Sequence, residues 1–287
     1  MTTKDLLNQG VDLARNGNYT EAIKIFSIVI QSLPNYAKAY FNRGCARHSL
    51  SKYNLAIEDF SRAIHLDPYY TAAYLNRGNT HRKLGHQDVA LEDFERGIQL
   101  APVSILGYCN RGLLRLDLRD YSGAVRDFDY VIQLHPTFTQ AYLWRGCARL
   151  QFGESQLAIN DLNRFIALIP QCPDAYNRRG LAFFNMADYT KSLEDFNQAI
   201  TLNSEFADAY TNRARLRIEL GKYLDAMEDY CTAQKLHSVS PKDLELDNVL
   251  QEHYRLGQLA LLTNHSDMKT LPEEGDRDLP KIGRHCA

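Results

Sequence analysis

The chain repeats itself every 34 residues without a single gap. AYLNRG at 73–78 has close variants: AYFNRG at 39–44, GYCNRG at 107–112, AYLWRG at 141–146, AYNRRG at 175–180 and AYTNRA at 209–214. Blocks 3–36, 37–70, 71–104, 105–138, 139–172, 173–206 and 207–240 align position by position. Position 8 of the block holds Gly10, Gly44, Gly78, Gly112, Gly146 and Gly180, then Ala214. Position 20 holds alanine except at Ser192, and position 24 holds phenylalanine except at Leu162 and Tyr230. Proline occupies position 32 of the first five blocks, from Pro34 to Pro170.

Each block contains two stretches with the 3.6-residue period of amphipathic helices, parted by a turn that carries Gly17, Gly85, Gly153 or Gly221. Small residues at positions 8 and 20 let two helix backbones approach, aromatics fill the space around them, and proline stops the second helix. One helix pair is too small to bury its own apolar face, so neighbours must stack.

The aromatic, Gly, Tyr, Ala, Phe and Pro offsets resemble the tetratricopeptide repeat (TPR) family. That resemblance implies an all-α, right-handed solenoid of seven helix-turn-helix repeats over residues 3–240. It places the first helix of each pair on a concave, peptide-binding groove. Helical spacing at 241–263 predicts a capping helix, and the apolar-poor 264–287 predicts a disordered tail.

Position 7, usually leucine in the family, carries Arg43, Arg77, Arg111, Arg145, Arg179 and Arg213. The same six blocks carry Asp59, Asp93, Asp127, Asp161, Asp195 and Asp229 at position 23, and the first block lacks both charges. Joint presence and joint absence within one chain predict structural ion pairs between the two helices, for which the guanidinium fork is suited. The competing reading is a row of arginines that grips phosphates.

What the scaffold leaves over is a stripe at positions 2, 6, 9 and 13 of the first helix. Position 6 reads Asn8, Asn42, Asn76, Asn110, Trp144, Arg178 and Asn212. Asparagine offers both a donor and an acceptor, so such a row can pair with an extended peptide backbone. Duplication of the repeat would also copy it without any such use. Blocks one to three add Lys4, Lys38, Arg82 and Lys83 with no acid, blocks four to six are mainly apolar with Leu113, Cys147 and Phe184, and acids enter at Asp174 and Asp208. Trp144, the sole tryptophan, is the expected anchor for a partner or else packs against the next helix. The expected ligand is a protein or peptide segment, acidic at one end with an apolar anchor.

These features predict a non-enzymatic adaptor or scaffold. The alternatives are a structural subunit that uses its convex faces and a co-chaperone that grips a chaperone tail. For the latter, Lys4, Asn8 and Asn42 resemble part of the family's carboxylate clamp, but Ala72 and Asn76 stand where lysine and arginine belong.

The formal net charge of −2 argues against a general nucleic-acid or membrane-surface binder. RNA binding is disfavoured further because the groove lacks repeated stacking residues. No phosphate loop, HExxH or nucleophile elbow occurs, and no cofactor or metal is expected. The six cysteines lack metal spacing, and His81 and His86, five apart, are a poor match for two ligands on one helix face. With no signal-peptide pattern at its start, the chain is expected inside the cell, in the cytoplasm.

Overall fold

The computed structural model describes residues 2–237. Fourteen helices run in order: α1 (Thr3–Arg15), α2 (Tyr19–Ser32), α3 (Ala37–Ser49), α4 (Tyr53–Leu66), α5 (Thr71–Lys83), α6 (Gln87–Leu100), α7 (Ile105–Asp117), α8 (Tyr121–Leu134), α9 (Thr139–Phe152), α10 (Ser155–Leu168), α11 (Pro173–Asn185), α12 (Tyr189–Leu202), α13 (Ala207–Glu219) and α14 (Tyr223–His237). The fold class is an all-α repeat solenoid of seven helix pairs. Among the described residues there is no strand, and no helix is long and apolar enough to cross a membrane. The expected capping helix and tail lie outside the described residues.

The chain divides into two compact units, Met1–Ser204 with α1–α12 and Glu205–Ala287 with α13 and α14. In the first unit each first helix touches the first helix of the next pair, from α1 with α3 to α9 with α11. No second helix there touches the next second helix. The six first helices therefore crowd together on one wall, and the second helices fan out on the other.

Helix starts and stops follow local chemistry. Thr2 and Asp5 form a reciprocal capping box at the start of α1. Each pair turns at position 15 through a left-handed residue: Gly17, Gly85, Gly153 and Gly221 in four pairs, Ser51, Arg119 and Ala187 in three. Only the glycines adopt that conformation at little cost.

Inside each pair, glycine and phenylalanine meet face to face. A Cβ on Gly10, Gly44, Gly78, Gly112 or Gly180 would lie 2.5–2.8 Å from the ring of Phe26, Phe60, Phe94, Phe128 or Phe196, and all five rings are fully buried. In the fifth pair Leu162 replaces the ring, and a Cβ on Gly146 would stand 3.1 Å away. In the seventh, Ala214 is accommodated opposite Tyr230.

The arginines and aspartates close each pair electrostatically. Nη2 of Arg43, Arg77 and Arg111 donates to Asp59, Asp93 and Asp127 at 2.7 Å, and Nε donates to the second oxygen. Arg145 holds Asp161 in the same way, and Arg179–Asp195 and Arg213–Asp229 close at 2.6 Å. The aspartates are 2–5% exposed. Each guanidinium also lies 5.4–5.7 Å over the tyrosine three residues before it, from Tyr40 to Tyr210.

Two further contacts go beyond the sequence reading. The remaining nitrogen reaches back to the preceding pair: Arg43 Nη1 to Ser27 at 3.1 Å, Arg77 to Ser61 at 3.0 Å, Arg145 to Asp129 and Arg179 to Asn163 at 2.6 Å. A second arginine at position 11 also holds the aspartate, at 2.9 Å from Arg47, 2.8 Å from Arg115 and Arg149, and 2.7 Å from Arg217. The third pair has His81 there and the sixth has Phe183. Burial pushes the Asp195 carboxyl up, against the pull of Arg179.

These contacts set two expectations for thermal or denaturant unfolding. Gly112→Ala, whose new methyl would meet a ring, should cost ~1–3 kcal/mol, whereas Gly146→Ala should cost much less. Arg179→Ala, which strips Asp195 of its cation, should approach the ~3–5 kcal/mol of a broken buried pair. Arg111→Ala should cost less, because Arg115 still holds Asp127. The reverse order in either comparison would contradict the packing described.

Candidate binding groove

The wall of first helices in the unit Met1–Ser204 carries the stripe at positions 2, 6, 9 and 13. Its scaffold positions face the pairs' interiors, as the buried Ala39, Ala73, Ala141 and Ala175 at position 3 show. The stripe residues are exposed or half-buried. Lys4, Asn8, Lys38 and Lys83 are exposed, and Asn42, Asn76, Arg82 and Asn110 are half-buried.

The asparagines do not form a uniform row. The Asn76 amide nitrogen donates to its own helix at Ala72 O, 2.8 Å away. That of Asn42 is buried with no hydrogen-bond partner, an expensive state for a donor. Arg178 at the same position pairs with Asp174 at 2.7 Å. Asn212, with Asp208, belongs to the other unit.

Between α3, α5 and α7 lies a polar cleft of about 350 Å³, lined by His48, Asn76, Asn79, Arg82, Lys83 and Asp117. Arg82 Nε reaches Asp117 across it at 2.6 Å. Asp117, at position 13 of the fourth block, thus supplies an acid to Arg82 at the edge of the basic zone. Its position on the stripe was visible in the sequence.

The cleft floor is organised by a hydrogen-bond chain. The fully buried Thr80 hydroxyl donates to Asn76 O at 2.7 Å, so His48 Nδ1, 2.9 Å from Thr80 Oγ1, must be the donor to that hydroxyl. Burial, then the nearby Lys83 ammonium, pushes the His48 imidazole down from 6.5. A neutral ring with a free Nε2 acceptor therefore faces the cleft at neutral pH.

Farther along, the wall becomes apolar. Trp144 is half-buried, 5.7 Å from the Phe128 ring and 5.9 Å from Phe138, and like Leu113 and Leu116 it packs against the buried core of Ala124, Phe128 and Ala148. Its ring fills the seam between the fourth and fifth pairs, so it has a structural task whether or not a partner touches it. Cys147 beside it is pushed up to about 11 by burial, which keeps it a protonated, unreactive thiol. Phe184 rests on Tyr189 at 5.8 Å.

Sequence reasoning also set aside His81 and His86 because both were placed on one helix. The structure places them on either side of the Gly85 turn, with Nδ1 to Nδ1 at 3.3 Å. The glycine between them was the overlooked signal.

Three family models described as tetratricopeptide repeat match the chain. They cover residues 37–70 and 173–206, residues 109–175, and residues 71–104 and 207–237, together more than half of it. A tetratricopeptide repeat protein from Parabacteroides merdae ATCC 43184 aligns at 19% identity over 89% of this chain and 98% of its own, with a TM-score of 0.66. YrrB, described as a TPR protein with an unusual peptide-binding site, aligns at 20% identity over 64% and 95%, with a TM-score of 0.57. The APC/C hetero-tetramer Cut9–Hcn1 aligns at 17% identity over 85% of this chain and 48% of that one, with a TM-score of 0.68. At these identities the likeness is one of fold. A search of curated proteins returns no significant match.

The His48 environment predicts a titration. By NMR its midpoint should lie below 6.5 and should rise in Lys83→Ala. Because the folded state then holds fewer protons than the unfolded one, this residue's contribution to stability is kept at neutral pH and lost as pH falls below about 6.5. A midpoint at or above 6.5 in the native protein would contradict the assignment.

Proposed function

The chain belongs to the tetratricopeptide-repeat family, and from that premise we propose that it is a non-enzymatic protein-interaction module, an adaptor or assembly scaffold. It takes a partner's extended or helical segment along the wall of first helices. The observation that carries this reading is the polar cleft of His48, Asn76, Asn79, Arg82, Lys83 and Asp117 on that wall. Its side chains offer both donors and acceptors, which suits the amides of a peptide backbone.

Charge gives the segment a direction. Lys4, Lys38 and Lys83 favour acidic residues over the first three pairs, and Leu113, Trp144 and Phe184 favour an apolar anchor farther along. Such zoning sets register and on-rate more than raw affinity. A grip on a terminal carboxylate suits the site less well, since Ala72 carries no charge and the Asn76 amide is turned to its own helix.

YrrB, one of the solved structures of this fold, is described as a TPR protein with an unusual peptide-binding site, so peptide binding is a known use of the architecture.

The test is a displayed peptide library selected on the full chain, then titrated against Lys38→Glu/Lys83→Glu and Trp144→Ala. Acidic sequences with an apolar residue should be enriched, and the double charge reversal should weaken them about tenfold or more at unchanged melting temperature. Trp144→Ala should lower both affinity and stability, given its seam contacts. Selected peptides that bind all variants alike would remove the groove from consideration.

A further inference from the structure

The turn of the third pair holds a feature that the groove does not use. α5 ends at Lys83, Gly85 reverses the chain at φ +78, and the His86 backbone N–H donates to His81 O at 3.0 Å. This closure fixes the two imidazoles against each other, with ring centroids 5.6 Å apart and Nδ1 to Nδ1 at 3.3 Å on the surface. At position 11, where four other pairs place a second arginine, the third pair has His81 instead.

We propose that His81 and His86 form a two-imidazole chelate for a late first-row divalent ion, Zn²⁺ being the best geometric match. Metal–nitrogen bonds of about 2.0–2.1 Å at the tetrahedral angle separate two nitrogens by about 3.3–3.4 Å. The observed separation of 3.3 Å falls in that range, and imidazole is the ligand type that zinc, nickel and copper share. Coordination through both Nδ1 atoms requires both rings in the Nε2–H tautomer. The ring that carries the Nδ1 proton in the free pair moves it to its own Nε2 through solvent, so no net proton is released from two neutral rings.

No group of three or more metal-binding side chains converges among the described residues. The chelate is therefore two-handed, leaves its remaining positions to water, and binds more weakly than a four-ligand structural site. An ion held there ties the end of α5 to the start of α6.

The experiment is a calorimetric titration of the full chain with ZnCl₂ at pH 7.5, alongside His81→Ala/His86→Ala, which retains the other seven of the nine histidines. The native chain should bind one more equivalent than the double variant, and His81→Ala or His86→Gln alone should weaken that equivalent at least tenfold. Zn²⁺ should also raise the melting temperature of the native chain but not of the double variant, and NMR should show both ring resonances moving together. Equal stoichiometry and affinity in native and double-variant chains, or shifts confined to other histidines, would overturn the proposal.

Discussion

A carboxylate removed from water must be answered by a cation, and six helix pairs each contain one so removed. This single demand organises much of the repeat. The answering arginine spends two donors on its own aspartate, lies across the tyrosine of the same turn, and turns a third donor to the preceding pair in those repeats where the bond is seen. One side chain thus joins helix to helix and pair to pair. A leucine at that position would fill the space but carry no link to the neighbour. The contact between glycine and phenylalanine rings sets the distance at which this network closes in five pairs, because a methyl opposite such a ring would push the second helix away.

The division of labour within a first helix follows. Positions that face the partner helix or the neighbouring pair are committed to packing and to the arginine node. The face left over is free to vary without harming the fold, and its composition changes from cationic to apolar along the wall. Trp144 shows that the separation is incomplete, for it stands on the free face yet fills a seam against Phe128 and Phe138.

Much of the fold was legible because a gapless period turns weak local signals into repeated ones. The glycine at position 8, the ring at 24 and the proline at 32 each appear five times or more, and the helices begin at positions 1 and 17 in every pair. Arginine and aspartate sixteen apart were readable as a co-occurrence. The reach from Arg145 to Asp129 was not, because position 25 changes from serine to glutamate, aspartate, asparagine and cysteine and so keeps no one letter along the chain. The groove was legible only as a stripe of residue types. Which asparagine points outward, and that Asp117 leans toward Arg82, depend on rotamers that a periodic pattern does not encode. The two histidines were misjudged for a similar reason: counting along a helix ignores a chain that has already turned.

The links from pair to pair are chemically unequal. Arg43 and Arg77 reach neutral hydroxyls, Arg145 reaches a carboxylate, and Arg179 reaches an amide. Dissolved ions screen a link between charges far more than one to a hydroxyl. Hairpins of nearly one geometry are therefore coupled by springs of different kinds, and ionic strength acts as a local dial on compliance. It loosens the joint between the fourth and fifth hairpins while leaving those near the beginning about as stiff as before.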